Sequence, residues 1–125
     1  SGLDAGRIYQ TWPLMGYSYF PDDFSFTGFY SFFDFNNHSL VQFYHRNLAY
    51  FIIFYIVVLS IDILKKKLSY LYNPLKILLF ILSLQVILGI FTLLSGLYIF
   101  LASLHQIVSV LLIFSALNLY FLRLK

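Results

Sequence analysis

Three long apolar stretches follow one another along the second two-thirds of the chain. The first covers residues 41–64, has polar side chains only near its ends, and as a helix would be about 36 Å long. The second and third cover residues 75–94 and 101–123, and each is long enough to cross the apolar core of a bilayer as a helix. The pattern therefore predicts three transmembrane helices.

The remaining segments have a different composition. Residues 1–40 mix Gly, Pro and Asp with many aromatic side chains, which is typical of an extramembrane segment whose rings rest at the membrane interface. Residues 65–74 form a basic loop that ends in Asn73 and Pro74, a pair suited to the N-cap and first position of the second helix. Residues 95–100 form a short turn. The predicted fold is all-α, a polytopic membrane protein.

The composition supports a membrane environment. The chain is 61% hydrophobic and only 10% charged, and 125 residues provide too little polar surface to cover so many apolar side chains in water. The absence of cysteine excludes disulfides, thiolate catalysis and Cys-ligated clusters from this chain. Because the chain begins at Ser1, without an initiator methionine or a signal-peptide pattern, we expect it to be a segment of a longer protein.

The positive charges indicate a topology. The formal charge is +3, but the basic residues are spread along an apolar chain, so we predict no nucleic-acid partner. Lys65, Lys66 and Lys67 follow the first predicted helix, and Arg123 closes the third, so three spans place both sets on one side. By the positive-inside rule we predict that the lysine-rich loop and the C-terminus face the cytoplasm or mitochondrial matrix, with residues 1–40 opposite.

Two histidines fall at matching depths. His45 and His105 each lie four residues past the start of a predicted helix, the first and the third, and both helices run in the same direction. Each ring would lie about 6 Å along its helix from the same membrane boundary, so neighbouring helices could aim both at one haem iron. Ala49, Ser109 and Ala116 follow at helical spacings and leave space on the histidine faces.

Simpler interpretations compete with this one. A single histidine near a helix end is often an interfacial side chain bound to water or a headgroup, and only the matched depth favours ligation. His38 is predicted to lie in a turn before the first helix, and Asp62 to be an interfacial charge. Arg46 is either a snorkelling anchor or a partner for a haem propionate, and its position does not decide between them.

The middle helix carries a stripe of small and polar residues. This stripe consists of Gln85, Gly89, Thr92 and Gly96, which are spaced by four, three and four positions. Such a stripe is predicted to face neighbouring helices rather than lipid.

Five stretches together resemble the C-terminal half of haem A synthase. They are GLDAGR at 2–7, TWPLMG at 11–16, VQFYHR at 41–46, QVILGIFTLL at 85–94 and LHQ at 104–106. The resemblance implies a protein of eight transmembrane helices in two four-helix halves, which oxidises a ring methyl of haem O to the formyl group of haem A for cytochrome oxidase. The present chain would supply three helices of one four-helix half-bundle.

The resemblance also implies a cofactor and partners. The C-terminal half of that family binds haem b through two histidines, which here are His45 and His105 as axial ligands of the iron, with Arg46 as a propionate contact. The expected partners are membrane lipid, the N-terminal half of the synthase from the same gene or a separate chain, and haem O as substrate of the whole enzyme. The expected location is a bacterial plasma membrane or the mitochondrial inner membrane.

The chain departs from the family pattern at the position that concerns catalysis. The N-terminal half of the family has a glutamate three residues before its first histidine, whereas this chain has Gln42 there and no glutamate anywhere. We therefore expect it to lack the substrate-oxidising half, and assign it no catalytic residue. Tyr44 and Asn36 are further departures. The alternatives are a b-type cytochrome subunit that only transfers electrons and a structural membrane subunit without a cofactor.

Overall fold

The computed structural model of the chain describes residues 7–23, 25, 28–34 and 36–125. It contains three long helices, α1 at His38–Lys65, α2 at Tyr72–Leu94 and α3 at Ile99–Leu124. Each is long and apolar enough to cross a membrane, and the described residues contain no strand, which confirms the prediction of an all-α protein with three transmembrane helices. Residues 2–6 of the GLDAGR stretch lie outside the described ranges.

Helix α1 begins three residues before the predicted position at residue 41. The side chain of Asn37 accepts a hydrogen bond from the backbone N–H of Leu40, at 3.2 Å, and so caps the first turn. The prediction that His38 precedes the helix is therefore wrong, because the cap makes it the first helical residue.

Helix α2 also begins earlier than predicted, since a short 3-10 turn at Ser69–Leu71 leads directly into it. Leu71 occupies the N-cap position, so the assignment of Asn73 and Pro74 to the N-cap and first position is wrong. Pro74 is nevertheless tolerated, because N–H groups in the first turn of a helix have no acceptor within the helix.

The turn between α2 and α3 is shorter than predicted. It occupies residues 95–98, because Gly96 and Leu97 both adopt positive φ angles, of 70° and 63°, and reverse the chain at once. The N–H of Leu97 donates to the carbonyl of Thr92 at 2.9 Å and that of Gly96 to the carbonyl of Leu93 at 3.1 Å, which closes the end of α2. Helix α3 therefore begins at Ile99.

Apolar packing is concentrated near the end of the bundle that carries the lysine run, here called the lysine end. The members of this apolar cluster are Ile56, Ile63, Leu71, Leu75, Leu78, Leu82 and Leu119. At the same end Asp62 forms ion pairs with Lys66, at 2.9 Å, and with Arg123, at 3.0 Å. The pair with Arg123 joins the C-terminal parts of α1 and α3, so both helices end on one side, and which membrane face that is stays a prediction.

Most of the helical surface is uncovered within this chain. In the most apolar window of each helix, no more than 17% of the residues are buried. Side chains such as Phe51, Phe80 and Phe114 are between 66% and 71% exposed. Helix faces of this kind suit contact with lipid or with further transmembrane helices.

Candidate functional site: a histidine pair at the end of the bundle

The structure brings the two predicted ligands together. His45 is the eighth residue of α1 and His105 is the seventh of α3, so their rings lie at similar depth. Their centroids are 6.4 Å apart and the ring planes are inclined by 71°. This end of the bundle, opposite the lysine end, is called the histidine end below.

The separation of the rings suits a metal ion between them. Two metal–imidazole bonds of about 2 Å, with a ring radius added at each end, place the centroids roughly 6 Å apart. Among the residues that the structure describes, no group of three or more histidines and carboxylates could hold a metal ion. A haem iron needs only two protein ligands because the porphyrin supplies the others, so two histidines are the number of donors that a haem would require, and haem binding here stays a prediction.

The two rings have different surroundings. His105 is half-buried against α2, where its Nε2 lies 3.4 Å from Nε2 of Gln85. A Cβ atom added at Gly89 would lie only 3.0 Å from Cε1 of the same ring, so the imidazole rests on bare helix backbone. His45, in contrast, is exposed within this chain. The contacts with α2 are thus made by His105.

The small and polar stripe on α2 faces the protein, as predicted. Gln85 and Gly89 contact His105, and Thr92 is buried with its hydroxyl donating to the carbonyl of Leu88 at 2.7 Å. Gly96 continues the stripe in the turn that follows α2.

Residues 7–23, here called the N-terminal cover, fold over the histidine end. Nε2 of Gln42 donates to the carbonyl of Tyr9 at 2.8 Å, which fixes the cover to α1. On the other side, a Cβ atom at Gly96 would lie 3.2 Å from Nε2 of Gln10, so the cover also reaches the α2–α3 turn. It therefore spans the end of the bundle where the histidines lie.

Arg46 is the main link between α1 and the cover. Its Nη1 donates to the carbonyls of Pro13 and Leu14, at 3.4 and 3.1 Å, and its Nη2 to those of Tyr9 and Thr11, at 3.2 and 2.8 Å. Four backbone carbonyls thus surround the two terminal nitrogens. A propionate contact at Arg46 stays a prediction and would have to compete with these bonds.

A second polar link joins the cover to the first turn of α1. The carboxylate of Asp23 accepts hydrogen bonds from the hydroxyls of Ser39, at 2.6 Å, and Tyr9, at 2.9 Å. Burial raises the pKa of Asp23, but these two hydrogen bonds outweigh it and the net shift is downward. Burial, together with the nearby Asp23, raises the pKa of Tyr9. The sequence analysis predicted neither the bonds of Arg46 nor those of Asp23. The spacing of Gln42 and Arg46 by one helical turn was a signal for the first, since it places both side chains on one face of α1.

Four buried polar atoms at this end have no hydrogen-bond partner among the described residues. They are Oε1 of Gln42, Nε of Arg46, Oε1 of Gln85 and Nδ1 of His105. Leaving a buried polar atom unpaired costs about 1–3 kcal/mol, so such atoms are rarely concentrated in one place without a function. Two of them belong to His105 and the neighbouring Gln85, and two to Gln42 and Arg46 at the base of the cover.

Comparison with known proteins gives a consistent family. A family model for cytochrome oxidase assembly proteins, COX15-CtaA, matches residues 1–117. Haem A synthases from Pelagibacter ubique (strain HTCC1062), Rickettsia massiliae (strain Mtu5) and Wolbachia pipientis wMel are 43%, 39% and 38% identical to this chain over 92%, 90% and 98% of its length.

The matched regions make up 34%, 33% and 33% of those proteins, so the chain spans about one third of the length of the curated relatives it matches. No solved structure gave a significant match. Since the family model covers nearly all of the chain, the chain belongs to the haem A synthase family of cytochrome oxidase assembly proteins.

Proposed function

We propose that this chain is the haem-b-binding C-terminal portion of a haem A synthase, with His45 and His105 as the axial ligands of the iron. The observation that carries the proposal is the separation of 6.4 Å between the two ring centroids at one depth of the bundle. Family membership and the names of the relatives support the same activity.

The residues around the pair have separate tasks in this proposal. Gly89 provides room for the ring of His105, and Arg46 and Gln42 hold the cover over the histidine end. A haem held by His45 and His105 would supply a one-electron redox centre. The chain would then contribute electron transfer to the synthase.

The oxidation of haem O belongs, in this proposal, to the portion of the synthase that this chain does not include. The chain spans about a third of its relatives, and Gln42 occupies the position three residues before His45. A glutamine amide cannot act as a carboxylate base, and that of Gln42 is bonded to the carbonyl of Tyr9. The partner is the N-terminal half of the enzyme, whose product is haem A for cytochrome oxidase.

Haem-binding spectra test the ligand assignment. The chain is purified in detergent and titrated with haem b, and reduced-minus-oxidised spectra are recorded for the native chain, His45→Ala and His105→Ala. We expect a low-spin b-type spectrum that both substitutions abolish, because each removes one axial ligand.

His38→Ala is the matched control, since His38 is a third histidine at the start of α1 and lies outside the pair. It should leave the spectrum unchanged. Haem binding that is equally strong and low-spin without His45 or without His105 would overturn the proposal.

A further inference from the structure

The lysine end of the bundle carries a large excess of positive charge. Six of the eight lysines and arginines of the chain lie in the loop after α1, in the first turns of α2 and at the end of α3, namely Lys65, Lys66, Lys67, Lys76, Arg123 and Lys125. Asp62 is the only acidic residue in the sequence from 35 to 125. Six cations and one carboxylate give this end a net charge of +5.

The carboxylate of Asp62 holds two of these cations side by side. It lies 2.9 Å from Nζ of Lys66, just after α1, and 3.0 Å from Nη2 of Arg123 on α3. Both basic side chains are exposed. Because an ammonium and a guanidinium from two helices converge on one carboxylate and exceed its charge, they provide donors for a second anion, for which a phosphate is a suitable acceptor.

The backbone at Lys67 adopts a conformation that favours glycine. Its φ angle is 52°, and it ends α1 in a tight turn in which the N–H of Leu68 donates to the carbonyl of Ile63 at 3.2 Å. Glycine would avoid the steric cost of a Cβ atom in this left-handed region. The lysine side chain is exposed and forms no ion pair within the part of the chain that the structure describes. A contact outside the chain would account for a charged residue at this position.

Exposed apolar side chains lie at the same end as this charge. Leu64, Tyr70, Phe121 and Leu124 are between 55% and 66% exposed. Aromatic rings close to basic residues are typical of the level of lipid headgroups in a transmembrane protein. An anion bound here would therefore lie at the membrane surface, where a phospholipid adds the contacts of its acyl chains with the helix faces to those of its phosphate.

We propose that the lysine end is a binding surface for an anionic phospholipid, whose headgroup phosphate is held by Lys66, Lys67 and Arg123. Asp62 keeps two of the three cations together, and Lys67 supplies a third positive charge from the turn that follows α1. The surface lies at the opposite end of the bundle from the histidine pair. It requires neither haem nor a particular orientation of the chain in the membrane.

Lipid binding in detergent tests this surface. The purified chain is mixed with phosphatidylglycerol, or with zwitterionic phosphatidylcholine of the same acyl chains, and native mass spectrometry measures the lipid that remains bound. We expect tighter binding of phosphatidylglycerol, which added salt should weaken. Lys66→Gln and Lys67→Gly should each lower its affinity about fivefold, because each removes one cation from the headgroup.

Lys67→Gly separates lipid binding from folding. Glycine relieves the strain of the left-handed backbone, so the thermal unfolding midpoint of the lipid-free chain should rise by a few degrees while the affinity for phosphatidylglycerol falls. Lys67→Arg keeps the charge and should keep the affinity. The matched control is Arg7→Gln, which removes one positive charge from an exposed residue of the N-terminal cover and should leave lipid binding unchanged.

Three outcomes would overturn the proposal. The first is binding of phosphatidylcholine that is as tight as that of phosphatidylglycerol. The second is an unaltered affinity for phosphatidylglycerol in Lys67→Gly, a variant that should remain folded even if Lys66→Gln does not. The third is displacement of the lipid by millimolar inorganic phosphate, which would show a site for the free ion instead of a lipid headgroup.

Discussion

Arg46 lies next to a candidate ligand, yet its terminal nitrogens are directed to the backbone of the N-terminal cover. A guanidinium presents several N–H donors in a fixed fork, and here four of its hydrogen bonds end on carbonyls of residues 9–14. A buried hydrogen bond to a charged group contributes about 1.5–3 kcal/mol, but three of these four bonds are exposed, so together they should contribute roughly that amount to the attachment of the cover.

We expect Arg46→Gln to release the cover while the three helices remain folded. Protease cleavage within residues 7–23 should accelerate about 10- to 100-fold, which corresponds to the loss of roughly 1.5–3 kcal/mol. Trp12, the single tryptophan of the chain, lies in the cover and should report the release by fluorescence. Arg123→Gln, at the opposite end, should leave both signals unchanged, and equal cleavage rates for the native chain and Arg46→Gln would contradict this role.

The link through Asp23 should depend on pH in a defined direction. The pKa of Asp23 in the folded chain lies below its ordinary value of 3.8, so its contribution is fully present above that value and is lost as the pH falls through the lower, folded value. We expect Trp12 fluorescence to stay constant from neutral pH down to about 4 and to change below it.

Asp23→Asn keeps an acceptor oxygen but cannot titrate in this range, so the acid transition should disappear from its fluorescence. A transition centred near pH 6, or one that persists in Asp23→Asn, would assign the effect to another group.

At the scale of single residues, a pairing of two side chains can be predicted from the sequence, whereas a hydrogen bond from a side chain to the backbone cannot. His45 and His105 could be paired because both depths follow from helix positions counted along the sequence. The bonds of Arg46 could not be predicted, because backbone carbonyls leave no pattern in a sequence and become acceptors only once the cover has folded.

Helix α2 positions a side chain that belongs to another helix, that of His105 on α3. Gly89 is unfavourable within a helix by about 1 kcal/mol relative to Ala, and this cost brings the backbone of α2 close to the ring of His105. Helix α2 is therefore locally less stable at Gly89, and the missing side chain lets the ring of His105 on α3 lie against it.

Gly89→Ala should separate these two effects. The added methyl would lie 3.0 Å from Cε1 of His105 and displace the ring, so haem affinity should fall at least tenfold even though the isolated helix gains stability. Circular dichroism should show unchanged or slightly higher helicity, while haem titration shows the loss. Ser83→Ala, on an exposed position of the same helix, serves as control, and unaltered haem affinity in Gly89→Ala would show that the ring has room to move.

The existence of the helices could be predicted from apolar length, whereas their first residues could not. The apolar pattern predicts that α1 begins at residue 41, but the side chain of Asn37 caps the helix so that it begins at His38. Similarly, the 3-10 turn at Ser69–Leu71 is built from apolar and polar residues without a distinctive order. Caps and tight turns depend on individual hydrogen bonds, which hydropathy does not register.

The chain as a whole is organised around two unlike ends. The lysine end is fixed by the apolar cluster and by the ion pairs of Asp62, while the histidine end is polar and carries the N-terminal cover. The broad uncovered faces of the helices leave ample surface for further transmembrane helices, consistent with a chain that spans about a third of its relatives.

Co-expression with the remaining two thirds of the Pelagibacter ubique haem A synthase should test this organisation. We expect the two chains to copurify from detergent and, when supplied with haem O, to yield haem A that is detected by mass spectrometry of extracted pigment. Because the oxidising half is assigned to the partner, this chain alone should yield none. Formation of haem A by this chain alone would contradict the assignment of haem O oxidation to the partner chain.

The placement of the apolar cluster makes α1 a lever with its fulcrum far from the histidines. Ile63, fully buried in the cluster, stands eighteen residues from His45, or about 27 Å along the helix. A tilt of about 3° at the fulcrum then displaces His45 by roughly 1.4 Å, a large fraction of a metal–ligand bond. The spacing of the two imidazoles would thus depend on apolar packing towards the other end of α1. If the pair binds haem as proposed, replacing a leucine of the cluster with a smaller residue should shift the haem absorption spectrum.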